Sequence, residues 1–391
     1  MCKRTVMPRL PLPPALLLLA LSLASFATLC ALRGAPMADL LVYRAEGAAV
    51  AHGADLYGFT VTEWRLPATY PPFAAILFVP AAWLSVPVLK AAFLAGNVLL
   101  LAALVVLSAR LARRTPAPPL VCAATALALW LEPVFQTLLF GQVNLAVACL
   151  TLWDLTRPPG ARWAGAALGI AAGIKLTPAV FLAWLLLRGR VREAATALAA
   201  FAGTVALGAV LLPSATVSFW GRQLWQTGRI GKAWIVDNQS LQGLIARLLG
   251  DPAPGPGWVL PAAVTGAAGL WLAARARHDR HGILLTGFTA LLVCPISWSH
   301  HWVWCVPLLA VLLGDGHRRA AAVTAAVFTA RTLWLVPHAG DRDLHLPWWQ
   351  QPAASPYPLL ALVLLAWAAA ARRRPRQAAP SARISSASTI R

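Results

Sequence analysis

Acidic side chains are scarce in this sequence. Its 391 residues hold 13 aspartates and glutamates against 33 lysines and arginines, for a formal net charge of +20. Charge of either sign is thin, at 12% of the chain, roughly half the ~25% of a soluble domain. That shortage excludes a water-soluble globule. The six cysteines, Cys2, Cys30, Cys122, Cys149, Cys294 and Cys305, are scattered and mostly sit inside apolar runs. No C-x-x-C pair occurs, so neither a disulfide framework nor a cysteine zinc site is indicated. No internal repeat is visible either, so the repeated halves of many secondary transporters are missing.

What is present is apolar. Hydrophobic residues make up 59% of the chain and the mean hydropathy is +0.67. Apolar stretches of about 20 residues recur from end to end, the mark of an all-α polytopic membrane protein. The basic residues do not form one nucleic-acid-binding patch. They fall in short clusters between apolar runs: Lys3 and Arg4; Arg110, Arg113 and Arg114; Arg188, Arg190 and Arg192; Arg275, Arg277 and Arg280; Arg318 and Arg319; and Arg372 to Arg376. Such clusters hold loops on the cytoplasmic side.

With Lys3, Arg4 and Arg9 inside, the run at 14–32 leads outward as an uncleaved first span, too long for a signal-peptide core. A polar stretch at 33–69 follows outside. Further apolar runs lie at 70–85, 87–109, 118–138, 139–155, 162–188, 193–213, 257–275, 281–298, 301–314, 319–337 and 356–371, giving about 10–12 transmembrane helices. Two registers fit the first half. In one, 70–85 and 162–188 are single spans, and the loops at 110–114 and 154–162 fall outside. In the other, 70–85 dips in and returns and 162–188 breaks at Lys175–Pro178, which puts both basic loops inside, as the positive-inside rule prefers. Beyond residue 193 the registers agree: 214–256, SWSHHW and 338–355 are outside. The chain divides into a membrane domain, 1–376, and a polar, disordered cytoplasmic tail, 377–391.

Polar residues with no hydrophobic reason to be present gather on the outer side. In DLLVYRAEGAAV, Asp39, Tyr43 and Glu46 share one face of a short helix, with the two carboxylates ~10 Å apart. Asp39 there fits either a general base or the N-cap of that helix. FGQVN places Gln142 and Asn144 between two apolar runs, bonding another helix or lining a cavity. GIKLTPAV puts Lys175 inside a long apolar run, as a helix-end lysine or as the partner of an anion such as a lipid phosphate. In the loop 214–256, Arg229 lies among tryptophans, and Asn238 and Gln239 suit hydrogen bonds to a polyol. His300 and His301 point apart on a helix and no nearby carboxylate completes a metal set. They are candidates for a phosphate or sugar hydroxyl, with Trp298, Trp302 and Trp304 as membrane-belt or sugar-stacking residues.

Taken in order, DLLVYRAEGAAVAHGADLYG, LPATYPPFAAILFVP, FGQVNL, GIKLTPAVFLAWLLL, DNQSLQG and CPISWSHHWVW resemble the successive signatures of glycosyltransferase family 87. These are actinobacterial α-1,2-mannosyltransferases of the GT-C superfamily. The resemblance covers about residues 35–310; LPAT and CPIS stand where LPFT and SPIS are expected, and neither change removes a polar group the chemistry needs. It implies a GT-C fold in the cell membrane, a polyprenyl-phosphate-mannose donor used at the outer face, a lipid or glycan acceptor and no cofactor. It further implies Asp39 as catalytic base. Tyr43, Glu46, Tyr70, Gln142, Asn144, Lys175, Arg229, Asn238, Gln239, His300 and His301 are the substrate-binding candidates. A GT-C enzyme using another sugar, a lipid-linked sugar transporter and a scaffolding protein are the rivals.

Overall fold

The computed structural model describes residues 11–158 and 160–373. The N-terminal Lys3, Arg4 and Arg9 and the tail expected at 377–391 lie outside the described residues. From the N-terminus, α1 (Leu12–Arg33) leads into α2 (Ala38–His52), the short α3 (Pro72–Leu77) and α4 (Val79–Ala82), then α5 (Val86–Leu111), α6 (Pro118–Ala128), α7 (Glu132–Phe140) and α8 (Asn144–Leu155). Next come α9 (Ala166–Ile174), α10 (Val180–Leu187), α11 (Val191–Leu211), α12 (Pro213–Gly221) and α13 (Leu241–Leu249). The chain continues through α14 (Pro256–Ala274), α15 (Asp279–Val293), α16 (Cys305–Gly314), α17 (Arg318–Ala330), α18 (Gln351–Ala354) and α19 (Pro356–Arg373). The one sheet among the described residues is a two-residue ladder, Thr60–Val61 against Leu66–Pro67.

The all-α, membrane-spanning class follows from the backbone's need to satisfy its own polar groups in lipid. Four helices among the described residues, α1, α5, α11 and α14, are long and apolar enough to cross a bilayer. The α6–α7 pair makes a fifth if counted as one span, and shorter apolar helices include α8 and α19.

Several expected spans are not straight rods. The run at 118–138 is broken at residues 129–131, and α7 leaves α6 at 77°. Pro133 at the start of α7 is tolerated because the first-turn amide has no helical partner. The run at 70–85 is two helices of 6 and 4 residues, too short to cross at 1.5 Å per residue. The run at 162–188 breaks at Lys175, which is extended (φ −146°, ψ 125°) between α9 and a 3₁₀ turn at Thr177–Ala179.

The arginine-bearing loops collect at one end of the molecule. Arg188 pairs with Asp279 at 2.7 Å and Arg280 with Asp315 at 2.8 Å, and Arg190 also pairs with Glu193. Arg114 donates to the Gly314 carbonyl. The Asp154 carboxylate accepts the Gly165 and Leu168 amides at the start of α9, and Gly165 packs on the Glu193 backbone. The loops at 110–114 and 154–162 thus share the end that holds 188–193 and 275–281, which is the second register.

The loops at 33–70, 214–256, 294–304 and 338–355 meet at the other end. Lys232 binds Asp341, Asp343 accepts the Val236 amide, and Asn238 bridges to Trp298. Beneath them a main apolar core runs through α5 to α8, α15, α16 and α19. A smaller one gathers Met37, Leu40, Tyr43, Tyr70, Ala74 and Val147 around α2.

Candidate active site

The site is assembled where α2, α7 and the 3₁₀ turn Ser299–Trp304 meet. α2 begins at Ala38, and its N-cap is Met37, in the left-handed region at φ 43° and making no side-chain cap bond. Asp39 is therefore the second residue of the helix and not its cap, which leaves its carboxylate available inside the positive end of the helix dipole. Three close approaches fix α2. The Met37 amide donates to the Leu139 carbonyl of α7, and a Cβ at Gly141, which ends α7 at φ +70°, would fall 2.7 Å from Leu40 Cβ. At Gly47 a Cβ would come within 2.2 Å of the Phe78 carbonyl, so only glycine lets the loop after α3 lie against α2.

Asp39, Tyr43 and Glu46 do lie on one face, but with different surroundings. Tyr43 Oη donates to Gln142 Oε1 at 2.9 Å, and Tyr70 Oη reaches the same oxygen at 3.1 Å. That arrangement leaves the Gln142 amide nitrogen to face the Asp39 carboxylate. Burial pushes the Asp39 carboxyl up to about 6, while Gln142 and the Lys175 ammonium oppose the rise. Glu46 is shut in beneath the Thr69 and Tyr70 backbone, 1% exposed, without a hydrogen bond of normal geometry. Burial pushes its carboxyl up to about 8. Glu46 is thus a neutral packed group and does not line the site, contrary to the expectation of a substrate contact.

FGQVN, GIKLTPAV and SWSHHW converge on the same point. Lys175 Nζ donates to Asn144 Oδ1 at 2.8 Å and lies 3.0 Å from His301 Nε2. To accept from an ammonium, that ring nitrogen must carry no proton. Asn144 Nδ2 and Thr137 Oγ1 both donate to the His300 carbonyl, at 2.9 and 3.0 Å. Lys175 Nζ also sits 5.6 Å from the centre of the Tyr70 ring, which ties this group to the Asp39 side. The His300 ring is buried against Phe140 and His301, and neither of its nitrogens has a hydrogen-bond partner. A narrow cleft opens from the cluster. Asn144, Lys175 and His301 mark its polar end, and Val147, Phe181, Leu291 and Trp304 form its walls.

Three expected site residues are elsewhere. Asn238 and Gln239 are fully buried and clasp the backbone. Asn238 bonds Ala233 O, Pro295 O and the Ser297 amide. Gln239 bonds Val236 O, Ala354 O and the Tyr357 amide. With every amide atom so occupied, neither side chain is available to a polyol. Arg229 lies over the Tyr57 ring, 6.0 Å from its centre, and is not among the residues lining the cleft. Of the tryptophans, Trp302 is core, packed on Phe288 and Tyr357, whereas Trp304 stacks on Phe181 in the cleft wall.

Two carboxylates near the site were not among the expected site residues. Glu132 is fully buried and accepts Trp334 Nε1 at 2.9 Å and Tyr357 Oη at 2.6 Å, which anchors the start of α7. A glutamate inside LALWLEPVF is itself a signal, because an acid in an apolar span marks a buried polar contact. Asp237 accepts the Ser299 amide at 3.1 Å and lies close enough to Asp39 to raise its carboxyl further. The D-x-D pair, Asp341 and Asp343, is taken up by Lys232, Trp234 and the Val236 amide. Among the described residues no group of three potential ligands could hold a metal ion. The arrangement offers a carboxyl at about 6, a cation close enough to oppose that rise and an apolar cleft leading off from the cation.

The sequence model of glycosyltransferase family 87 matches residues 68–295. A polyprenol-phosphate-mannose-dependent alpha-(1-2)-phosphatidylinositol mannoside mannosyltransferase of Mycobacterium tuberculosis is 35% identical over 361 residues, 84% of this chain and 83% of its own. A phosphatidylinositol pentamannoside mannosyltransferase from the same species is 34% identical over 93% of this chain and 90% of its own. The crystal structure of ArnT from Cupriavidus metallidurans, bound to undecaprenyl phosphate, aligns over 91% of this chain and 77% of its own, at 17% identity and a TM-score of 0.43.

Proposed function

Because this chain belongs to glycosyltransferase family 87, we propose that it is a membrane mannosyltransferase taking mannose from a polyprenyl phosphate and forming an α-1,2 linkage. The acceptor in this reading is a phosphatidylinositol mannoside, carried over from the relatives' names. The observation that carries it is the cleft: a cation, an amide and an imidazole at one end, and aliphatic and aromatic walls along its length. Those surroundings suit a phosphate carrying an isoprenoid tail. Asp39 lies beside Gln142 and close enough to Lys175 to feel its charge, and in this reading it meets the acceptor hydroxyl.

The chemistry is an inverting displacement. The acceptor oxygen attacks the anomeric carbon and passes its proton to the Asp39 carboxylate. The bond from that carbon to the phosphate oxygen breaks, and the phosphate leaves with the electron pair. A β-linked donor then gives an α-linked product. A carboxyl held near 6 is ionised at neutral pH yet more basic than an exposed aspartate, which suits a general base. The charge growing on the phosphate falls to Lys175, whose ammonium has three protons. Asn144 and His301 engage two of its directions, leaving the third for the ligand.

Charge supports one face for this reaction. The arginine loops gather at the opposite end, and the positive-inside rule puts that end in the cytoplasm, so the reaction is read as extracytoplasmic. The test is transfer of labelled mannose from polyprenyl phosphate mannose to a phosphatidylinositol mannoside by the purified chain. Wild type transfers, and Asp39→Asn, which keeps the shape but not the basicity, falls by about 100- to 10,000-fold. Equal transfer by both proteins removes Asp39 from the mechanism. Transfer by neither removes the donor.

A further inference from the structure

Four cations occupy the loop at 214–256 at the site end of the molecule: Arg222, Arg229, Lys232 and Arg247. Two are committed. Lys232 is paired with Asp341, and the fully buried Arg247 guanidinium donates to Trp234 O, Ile235 O, Asn238 O and Ser355 Oγ. Arg222 and Arg229 have no carboxylate partner among the described residues, yet they lie close enough to repel one another. Two like charges near one another, neither with a carboxylate partner, offer a place where a ligand anion would relieve the repulsion.

The surroundings say what kind of anion. α12 leaves the outer end of the span α11 and ends where Arg222 begins. Val210, Leu211 and Val217 along this corner, and Trp225 just beyond, are all more than half exposed. Aliphatic residues, a tryptophan and arginines in that order form the profile of a lipid tail-to-headgroup boundary. On its inner side Arg229 stacks on Tyr57, whose hydroxyl donates to the Tyr70 carbonyl at 2.9 Å, and Tyr70 is part of the Gln142 cluster beside Asp39. Tyr57, Tyr70 and Gln142 thus link Arg229 to the proposed base, and neither arginine lines the cleft that takes the donor.

We propose that Arg222 and Arg229 form the anion-binding end of the acceptor subsite and hold the phosphodiester of a sugar-bearing anionic phospholipid. The lipid's acyl chains lie along the exposed face of α11 and α12, and its sugar reaches past Tyr57 towards Asp39. The inference rests on the transferase reading above. It places Arg229, expected as a substrate contact, on the side of the acceptor.

The experiment compares wild type with the double variant Arg222→Gln/Arg229→Gln in detergent micelles. Transfer is followed with phosphatidylinositol as a sugar-free competitor, against phosphatidylcholine and soluble inositol phosphate as controls. Phosphatidylinositol is expected to inhibit wild type competitively against the acceptor, with an inhibition constant about tenfold weaker in the double variant. The donor KM should move less than the acceptor KM. Equal inhibition of both proteins overturns the proposal, as does a rise confined to the donor KM. Inositol phosphate competing as well as the lipid overturns the lipid as the source of the anion. A second readout needs no catalysis: quenching of tryptophan fluorescence by brominated phosphatidylinositol should exceed that by brominated phosphatidylcholine, and the excess should be lost in the variant. If that excess appears while wild type transfers no mannose, the transferase reading fails and the anion site stands. If the excess is missing, the site fails whatever the activity.

Discussion

Replacing Lys175 by methionine separates a catalytic cation from a structural one. The ammonium is half-buried at the break between α9 and the turn that follows, touching Asn144 Oδ1 at 2.8 Å and His301 Nε2 at 3.0 Å. On insertion scales, placing a lysine at membrane depth costs roughly 2.5–3.5 kcal/mol, and methionine recovers that. It also strips a donor from two acceptors, at about 1–3 kcal/mol each. The two effects nearly cancel, so the melting temperature should change little. Catalysis has no such offset. Removing one preorganised donor from a developing oxyanion costs about 100- to 1,000-fold in rate. Single-turnover transfer from labelled donor, with thermal unfolding of the same preparation, reads both quantities. A rate within threefold of wild type would refute contact between Lys175 and the leaving phosphate. A collapse in melting temperature would show that the lysine holds the break together instead.

Two predictions concern pH. With the Asp39 carboxyl at about 6, kcat/KM for the acceptor should be flat above neutrality and fall about tenfold per pH unit below 6; a profile flat down to pH 5 removes Asp39 as the titrating base. Glu46 carries a folded-state value of about 8, above its value in the unfolded chain. Its contribution to stability is therefore full below about 4.5 and lost as pH rises towards 8. Glu46→Gln should melt close to wild type at pH 5 and above it at pH 8, by on the order of 3 kcal/mol, and a gap that does not widen with pH contradicts the buried neutral acid.

The helices were legible because lipid leaves an apolar segment almost no other choice, and the motifs because polar residues between apolar runs need partners. Gln142, Asn144, Lys175 and His301, 159 residues apart at the extremes of the sequence, do meet. What sequence could not separate was a polar residue that faces a cleft from one that ties loops together. Asn238 and Gln239 have the side-chain chemistry of a sugar contact, but the backbone groups at 233–236, 295–297 and 354–357 take all of it. Hydropathy was equally blind to the break at 129–131, since a bent helix pair and a straight one have the same composition. Glu132 was the clue to that break, one charged residue in an otherwise continuous apolar run.

α7 has a further consequence. Its nine residues touch α2 through Leu139 and the His300 carbonyl through Thr137, so one short rod sets the spacing between the two poles of the reaction. Adding a residue within it would turn one pole about 100° and move it about 1.5 Å relative to the other. Side chains along the rod can vary, but its length cannot. Over evolutionary time this part of the chain should accept substitutions while rejecting insertions and deletions, leaving changes of length to the loops at the arginine-rich end.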